Sequence, residues 1–125
     1  DLLREIEIPI EVDFLSIHSY DGKESSGVVR ITHDLSLNIE DREVILVEDI
    51  IDTGRTINYI MENLKTRKPR SLAICALLNK KDNRVMNVLL KYVGFEIPNV
   101  FVVGYGLDYS NKYRNLRYIG VADDE

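Results

Sequence analysis

Apolar residues along this chain fall into short blocks separated by polar turns, with one longer stretch at helical spacing. Residues 12–20 alternate and are expected to form a strand, residues 27–31 its returning partner, and the polar, glycine-bearing residues 21–27 the loop between them. Residues 44–47, Val-Ile-Leu-Val, are apolar at every position and flanked by acids, the pattern of a central strand covered on both faces in a parallel sheet. Ile57, Ile60, Met61 and Leu64 stand at i, i+3, i+4 and i+7, which predicts a helix with one apolar stripe, closed by Pro69. Residues 71–78 read as a second central strand, and the strand-helix-strand order makes a right-handed parallel crossover the default. Residues 100–105 and 116–121 are further strand candidates, separated by residues 106–115. The predicted class is α/β with a mainly parallel sheet, and ligands of such sheets collect at the carboxyl ends of the strands.

Composition narrows the setting. The chain has 125 residues, 45% hydrophobic and 30% charged, with three Pro and seven Gly, so one soluble globular domain spanning residues 1–125 is expected. Cys75 is the single cysteine and sits in an apolar run, where packing accounts for it; a reducing, cytoplasmic setting follows. A net charge of −5 speaks against broad binding to a nucleic-acid backbone. The opening residues alternate charged with apolar side chains, unlike a signal peptide, and no later run approaches the ~20 apolar residues of a membrane span. His18 and His33 lack the partner spacing of a metal site or triad and read as ordinary strand residues.

The chemistry concentrates in Val47-Glu48-Asp49-Ile50-Ile51-Asp52-Thr53-Gly54-Arg55-Thr56, where an apolar strand runs into three carboxylates and then a hydroxyl-and-glycine turn that opens the helix. Amides at a helix amino terminus favour an anion, and Gly54 lets the backbone approach it closely. Thr53 and Thr56, three apart on a first turn, bring both hydroxyls towards one side, enough for a monophosphate. The lysine and glycine spacing of a P-loop are missing, which argues against a nucleoside triphosphatase. Carboxylates beside a phosphate repel it, by about 1 kcal/mol per close pair even in a water-like dielectric, unless they face hydroxyls, a metal or developing positive charge. A phosphorylated sugar meets that demand, with its diol on Glu48 and Asp49 and its anomeric carbon becoming cationic as a leaving group departs. A capped helix beside a solvated acidic loop is the alternative reading of the same residues.

From residue 1 to about residue 122 the sequence resembles the type I phosphoribosyltransferases, and within them the hypoxanthine-guanine phosphoribosyltransferases of purine salvage. The resemblance rests on the loop at 47–54, on Ser19-Tyr20 and Leu77-Leu78-Asn79-Lys80, and on Val93-Gly94-Phe95-Glu96-Ile97-Pro98. It continues through Phe101-Val102-Val103-Gly104-Tyr105-Gly106-Leu107-Asp108-Tyr109 and Tyr113-Arg114-Asn115-Leu116. It implies a Rossmann-like core and transfer of a phosphoribosyl group from phosphoribosyl pyrophosphate to hypoxanthine or guanine, with Mg²⁺ present. It also implies a further amino-terminal strand, helix and pyrophosphate-binding loop that this sequence does not contain.

By the same resemblance, Glu48 and Asp49 hold the ribose hydroxyls and a metal's water shell, and Thr53, Gly54, Arg55 and Thr56 the 5′-phosphate. Asp52 is the general base at purine N7, against a plain reading as the helix N-cap. Lys80 donates to purine O6, against a plain reading as a solvated lysine. Phe101 stacks on the base, although on sequence alone it reads as core, while Val102 and Asp108 offer backbone acceptors. The Asp108 side chain binds a second metal, Arg114 meets pyrophosphate, and Ser19 and Tyr20 open a loop that closes over the site. A homodimer or homotetramer is implied. A non-catalytic phosphoribosyl- or nucleotide-binding module on the same fold is the alternative function.

Overall fold

The structure, a computed structural model, describes residues 1–19 and 29–122. The chain divides into two compact units, Asp1–Ile39 and Glu40–Glu125.

In the first unit a short 3-10 turn at Leu2–Glu5 leads into extended chain, then β1 (Ser16–Ser19) and β2 (Val29–His33), which pair antiparallel. The expected strand at residues 12–20 is regular only from Ser16, because the preceding residues are held by a side chain instead of a ladder. One Asp13 carboxylate oxygen accepts the amides of Ser36 and Leu37 at 2.8 Å each, and the other accepts the amide of Phe14. The Leu37 amide, foremost among these bonds, holds the Asp13 carboxyl below its usual range. The expected loop at residues 21–27 lies outside the described residues.

The second unit is built on three parallel strands in the order β3 (Glu43–Ile51), β4 (Ser71–Lys80), β5 (Tyr92–Ile97), with α1 (Arg55–Lys65) between the first two in sequence. In-register pairs Val44/Leu72, Leu46/Ile74 and Ile50/Leu78 share one face of the sheet. On β4 the alternate residues Ile74, Ala76 and Leu78 are buried, as are Ile57, Ile60 and Leu64 of α1, so three of the four residues of the helical stripe read from the sequence belong to the core, while Met61 is only half-buried. The opposite face corrects an expectation. Ile45 and Val47 remain 54% and 55% exposed, because β3 is an edge strand among the described residues and only one of its faces is covered.

β5 had no expectation from periodicity; its apolar and polar residues follow neither period cleanly, and it gains order by pairing with β4 from Cys75/Tyr92 to Lys80/Ile97. The two later strand candidates shrink to two residues each, β6 (Val102–Val103) and β7 (Gly120–Val121), paired antiparallel. Between them the chain folds into tight turns. Gly104 and Gly106 adopt φ of 96°, and a Cβ on Gly104 would stand 2.1 Å from the Tyr118 carbonyl, so glycine is required there.

Candidate active site

The carboxyl ends of β3 and β4 come together as the class predicts. Ile51 is in register with Asn79, which sets Asp52 and Lys80 one residue further on along neighbouring strands. Beyond Ile51 the chain leaves the sheet, and Gly54 caps α1 at φ 84°, a left-handed conformation that other residues adopt only with strain. A Cβ at Gly54 would also stand 3.0 Å from Arg84 Cδ and Val88 Cγ2 and 3.1 Å from the Met86 carbonyl. This glycine is therefore needed for its φ and for close packing behind the loop.

Glu48, Asp52, Thr53, Gly54 and Thr56 line a cleft of about 200 Å³, with Ile50, Ile51 and Ile57 as its apolar wall. The amides of Thr53, Gly54 and Thr56 have no acceptor among the described residues, and that of Arg55 makes a single long contact of 3.4 Å to the Thr53 hydroxyl. A helix start whose free amides belong to residues lining an open cleft is an arrangement that suits an anion.

Asp52 is not the helix N-cap. Gly54 occupies that position without a side-chain capping bond, while one Asp52 carboxylate oxygen is buried with no hydrogen-bond partner among the described residues. A buried acceptor left unpaired costs about 1–3 kcal/mol, and the described residues supply no donor to this oxygen. Burial, with the neighbouring Asp49 charge adding to it, pushes the Glu48 carboxyl up to about 7. Asp49 is exposed, lies on the other face of β3 and accepts the amide of Ile50 at 2.7 Å; it does not line the cleft.

Lys80 is not a solvated lysine. It is 7% exposed, and its ammonium has no hydrogen bond or ion pair among the described residues. Phe101 is not core, since it is 50% exposed and meets Tyr109 edge-on with ring centroids 5.7 Å apart. Val102 is buried in β6. None of these three lines the cleft at Asp52, nor does Asp108. The Asp108 carboxylate instead accepts the Asn111 amide at 2.8 Å and pairs with Arg114 at 3.1 Å, and Arg114 also donates to the Gly106 carbonyl at 2.7 Å. Thus the two side chains expected at metal and pyrophosphate bind each other. Ser19 ends β1, and Tyr20 lies outside the described residues.

Sequence reasoning missed Arg84. Its Nε donates to the Asp52 carbonyl at 3.1 Å, and its terminal nitrogen donates to the side chain of buried Asn79. The only cue was an arginine entering an otherwise apolar stretch, Arg84-Val85-Met86, which reads just as well as surface.

A family model described as phosphoribosyl transferase domain matches residues 1–110. The hypoxanthine-guanine phosphoribosyltransferase of Mycobacterium avium is 52% identical over 98% of this chain, and that of Streptococcus pyogenes serotype M3 is 46% identical over all of it. The chain spans 61% of the first relative's length and 70% of the second's. A crystal structure of a hypoxanthine phosphoribosyltransferase from Staphylococcus aureus superposes with a TM-score of 0.92 at 46% identity, covering 98% of this chain and 67% of that one. The chain belongs to the phosphoribosyl transferase domain family, in its hypoxanthine-guanine phosphoribosyltransferase branch.

Proposed function

We propose that this chain carries the phosphoribosyl- and base-handling part of a purine salvage enzyme that joins hypoxanthine or guanine to phosphoribosyl pyrophosphate, releasing pyrophosphate. The free amides at residues 53–56 receive the 5′-phosphate, and Glu48 takes a ribose hydroxyl at the rim of the same cleft. The observation that carries the reading is the buried, unpartnered oxygen of Asp52. It accepts the proton leaving purine N7 as the bond to the anomeric carbon forms. Lys80, a residue 7% exposed and without an ion pair among the described residues, beside the strand that leads to Asp52, donates to O6, and an exocyclic amino group in its place would set donor against donor.

Mg²⁺ fits this donor set in one way. No group of three or more metal-ligating side chains stands together among the described residues, so a protein cage is not what they offer. Mg²⁺ ordinarily keeps its waters and uses one or two carboxylates plus substrate oxygens, a role open to Glu48 in the cleft, while Asp49 takes part only by turning from the other face of β3. The ion supplies charge neutralisation of the departing pyrophosphate. A role for Asp108 in holding a second ion requires that Arg114 release it. The reading carries with it a homodimer or homotetramer and a cytoplasmic location; no helix among the described residues is long and apolar enough to cross a membrane.

The test is Asp52→Asn, which keeps size and removes proton acceptance. Formation of inosine monophosphate should fall by about 10²–10⁴-fold while the nucleotide still binds in calorimetry. An unchanged rate refutes the role of Asp52.

A further inference from the structure

Arg84 and the residues after it pack against the turn at residues 52–54. The Thr53 carbonyl accepts the amides of Val85 at 2.9 Å and Met86 at 3.1 Å, so it is turned away from the helix bond it would otherwise make. The preceding carbonyl, that of Asp52, accepts Arg84 Nε at 3.1 Å. The same guanidinium is fixed by Asn79, which is buried at the end of β4 and in register with Ile51. One planar fork therefore ties Asn79, in the last pair between β3 and β4, to the peptide that carries Asp52. The packing is close as well, since the missing Cβ of Gly54 faces Arg84 Cδ, Val88 and the Met86 carbonyl.

From this geometry we propose that Arg84 is a positioning residue for the base. By holding the Asp52 carbonyl from behind, it sets the rotation of the Asp52-Thr53 peptide and so aims the Asp52 carboxylate into the cleft, where its oxygen stays unpartnered. The phosphate cradle depends on it less, because Thr53 is fixed independently by two backbone amides that no side-chain change removes. Lysine cannot replace the fork: a single ammonium lacks the fixed pair of directions that serve Asp52 and Asn79 together. The inference rests on the transferase reading and adds to it the residue that sets the base in place.

Arg84→Lys, with Asp52→Asn and the double variant, tests this in one cycle. The single change should lower kcat by about 10–100-fold, as displacement of a reacting group by about an ångström does. KM for phosphoribosyl pyrophosphate should move by less than about threefold. Asp52→Asn combined with Arg84→Lys should be no slower than Asp52→Asn alone, because a residue acting through the base has nothing left to position. Methylguanidinium should restore part of the rate to Arg84→Ala, which a general loss of fold would not permit. Losses that multiply in the double variant, or KM rising in step with a falling kcat, overturn the proposal. If the unsubstituted chain neither turns over nor binds inosine monophosphate, the transferase reading falls separately. The proposal is then decided by the ¹⁵N resonance of the Thr53 amide, whose peptide carbonyl is the Asp52 acceptor: it should shift in Arg84→Lys, and an unmoved resonance ends the claim.

Discussion

Glu48→Gln exchanges a half-buried carboxyl for a neutral amide of the same shape, and the sign of its effect can be worked through. Burial, helped by Asp49, raises the carboxyl from an ordinary 4.5 to about 7 in the folded chain. A raised carboxyl favours folding only while protonated. The advantage is whole below about pH 4.5, is lost as pH climbs to about 7, and above that the ionised group weighs against the fold by a constant amount. At about 1.4 kcal/mol per pH unit the gap has a ceiling near 3 kcal/mol, and residual solvent contact at the cleft lowers the expectation to about 1–2 kcal/mol. Glutamine does not titrate. The difference in unfolding free energy between variant and unsubstituted chain should therefore rise by that amount from pH 4.5 to pH 8, which for a chain of this size is roughly 2–6 °C in melting temperature. Urea unfolding of both proteins across that range is the assay, and taking the difference cancels the titrating groups that do not interact with Glu48. A flat or falling difference would refute the assignment of burial as the cause. Asp49→Asn should reproduce only a smaller part of the shift, because its charge is the lesser cause.

Two further outcomes follow from the same site. Gly54→Ala imposes a left-handed φ of 84° on a residue with a Cβ and sets that atom 3.0 Å from Arg84 and Val88. It should cost about 1–3 kcal/mol in denaturant unfolding and weaken binding of ribose 5-phosphate in calorimetry. Lys80→Met replaces a charged residue that is only 7% exposed and has no ion pair among the described residues, so stability should hold or rise by about 1 kcal/mol while affinity for hypoxanthine drops about tenfold or more. A clear loss of thermal stability in that variant would mean that Lys80 serves the fold.

What the sequence disclosed and what it withheld divide along a physical line. The parallel core was legible because its cues are local: an unbroken apolar run for β3, a period of 3.6 over Ile57, Ile60 and Leu64, and a Thr-Gly turn between them. The positions of Asp52, Thr53 and Thr56 on that turn were legible for the same reason, since the strand and helix they join place them. Asp108 and Arg114 were not placed so well. Their positions depend on six residues of turn geometry, and there an aspartate and an arginine within reach of each other satisfy one another. The uncovered side of β3 was misread because an all-apolar strand states what its faces would bury and says nothing of which residues of the chain arrive to bury them.

Arg84 marks the far side of that line. Its importance comes from 32 residues of separation being closed by two strands ending level, Ile51 beside Asn79, so that a side chain from the next loop can bridge both. No periodicity or spacing encodes such a bond. It also accounts for the glycine at 54, which a reading of the phosphate turn alone would assign to contact with the ligand. The structure puts Arg84, Met86 and Val88 against the place where a Cβ would be, so the turn is squeezed from the protein side. On the proposed reading, glycine at 54 serves both an anion in front and the wall behind. A substitution in that wall should alter the base and the loop without touching a substrate atom.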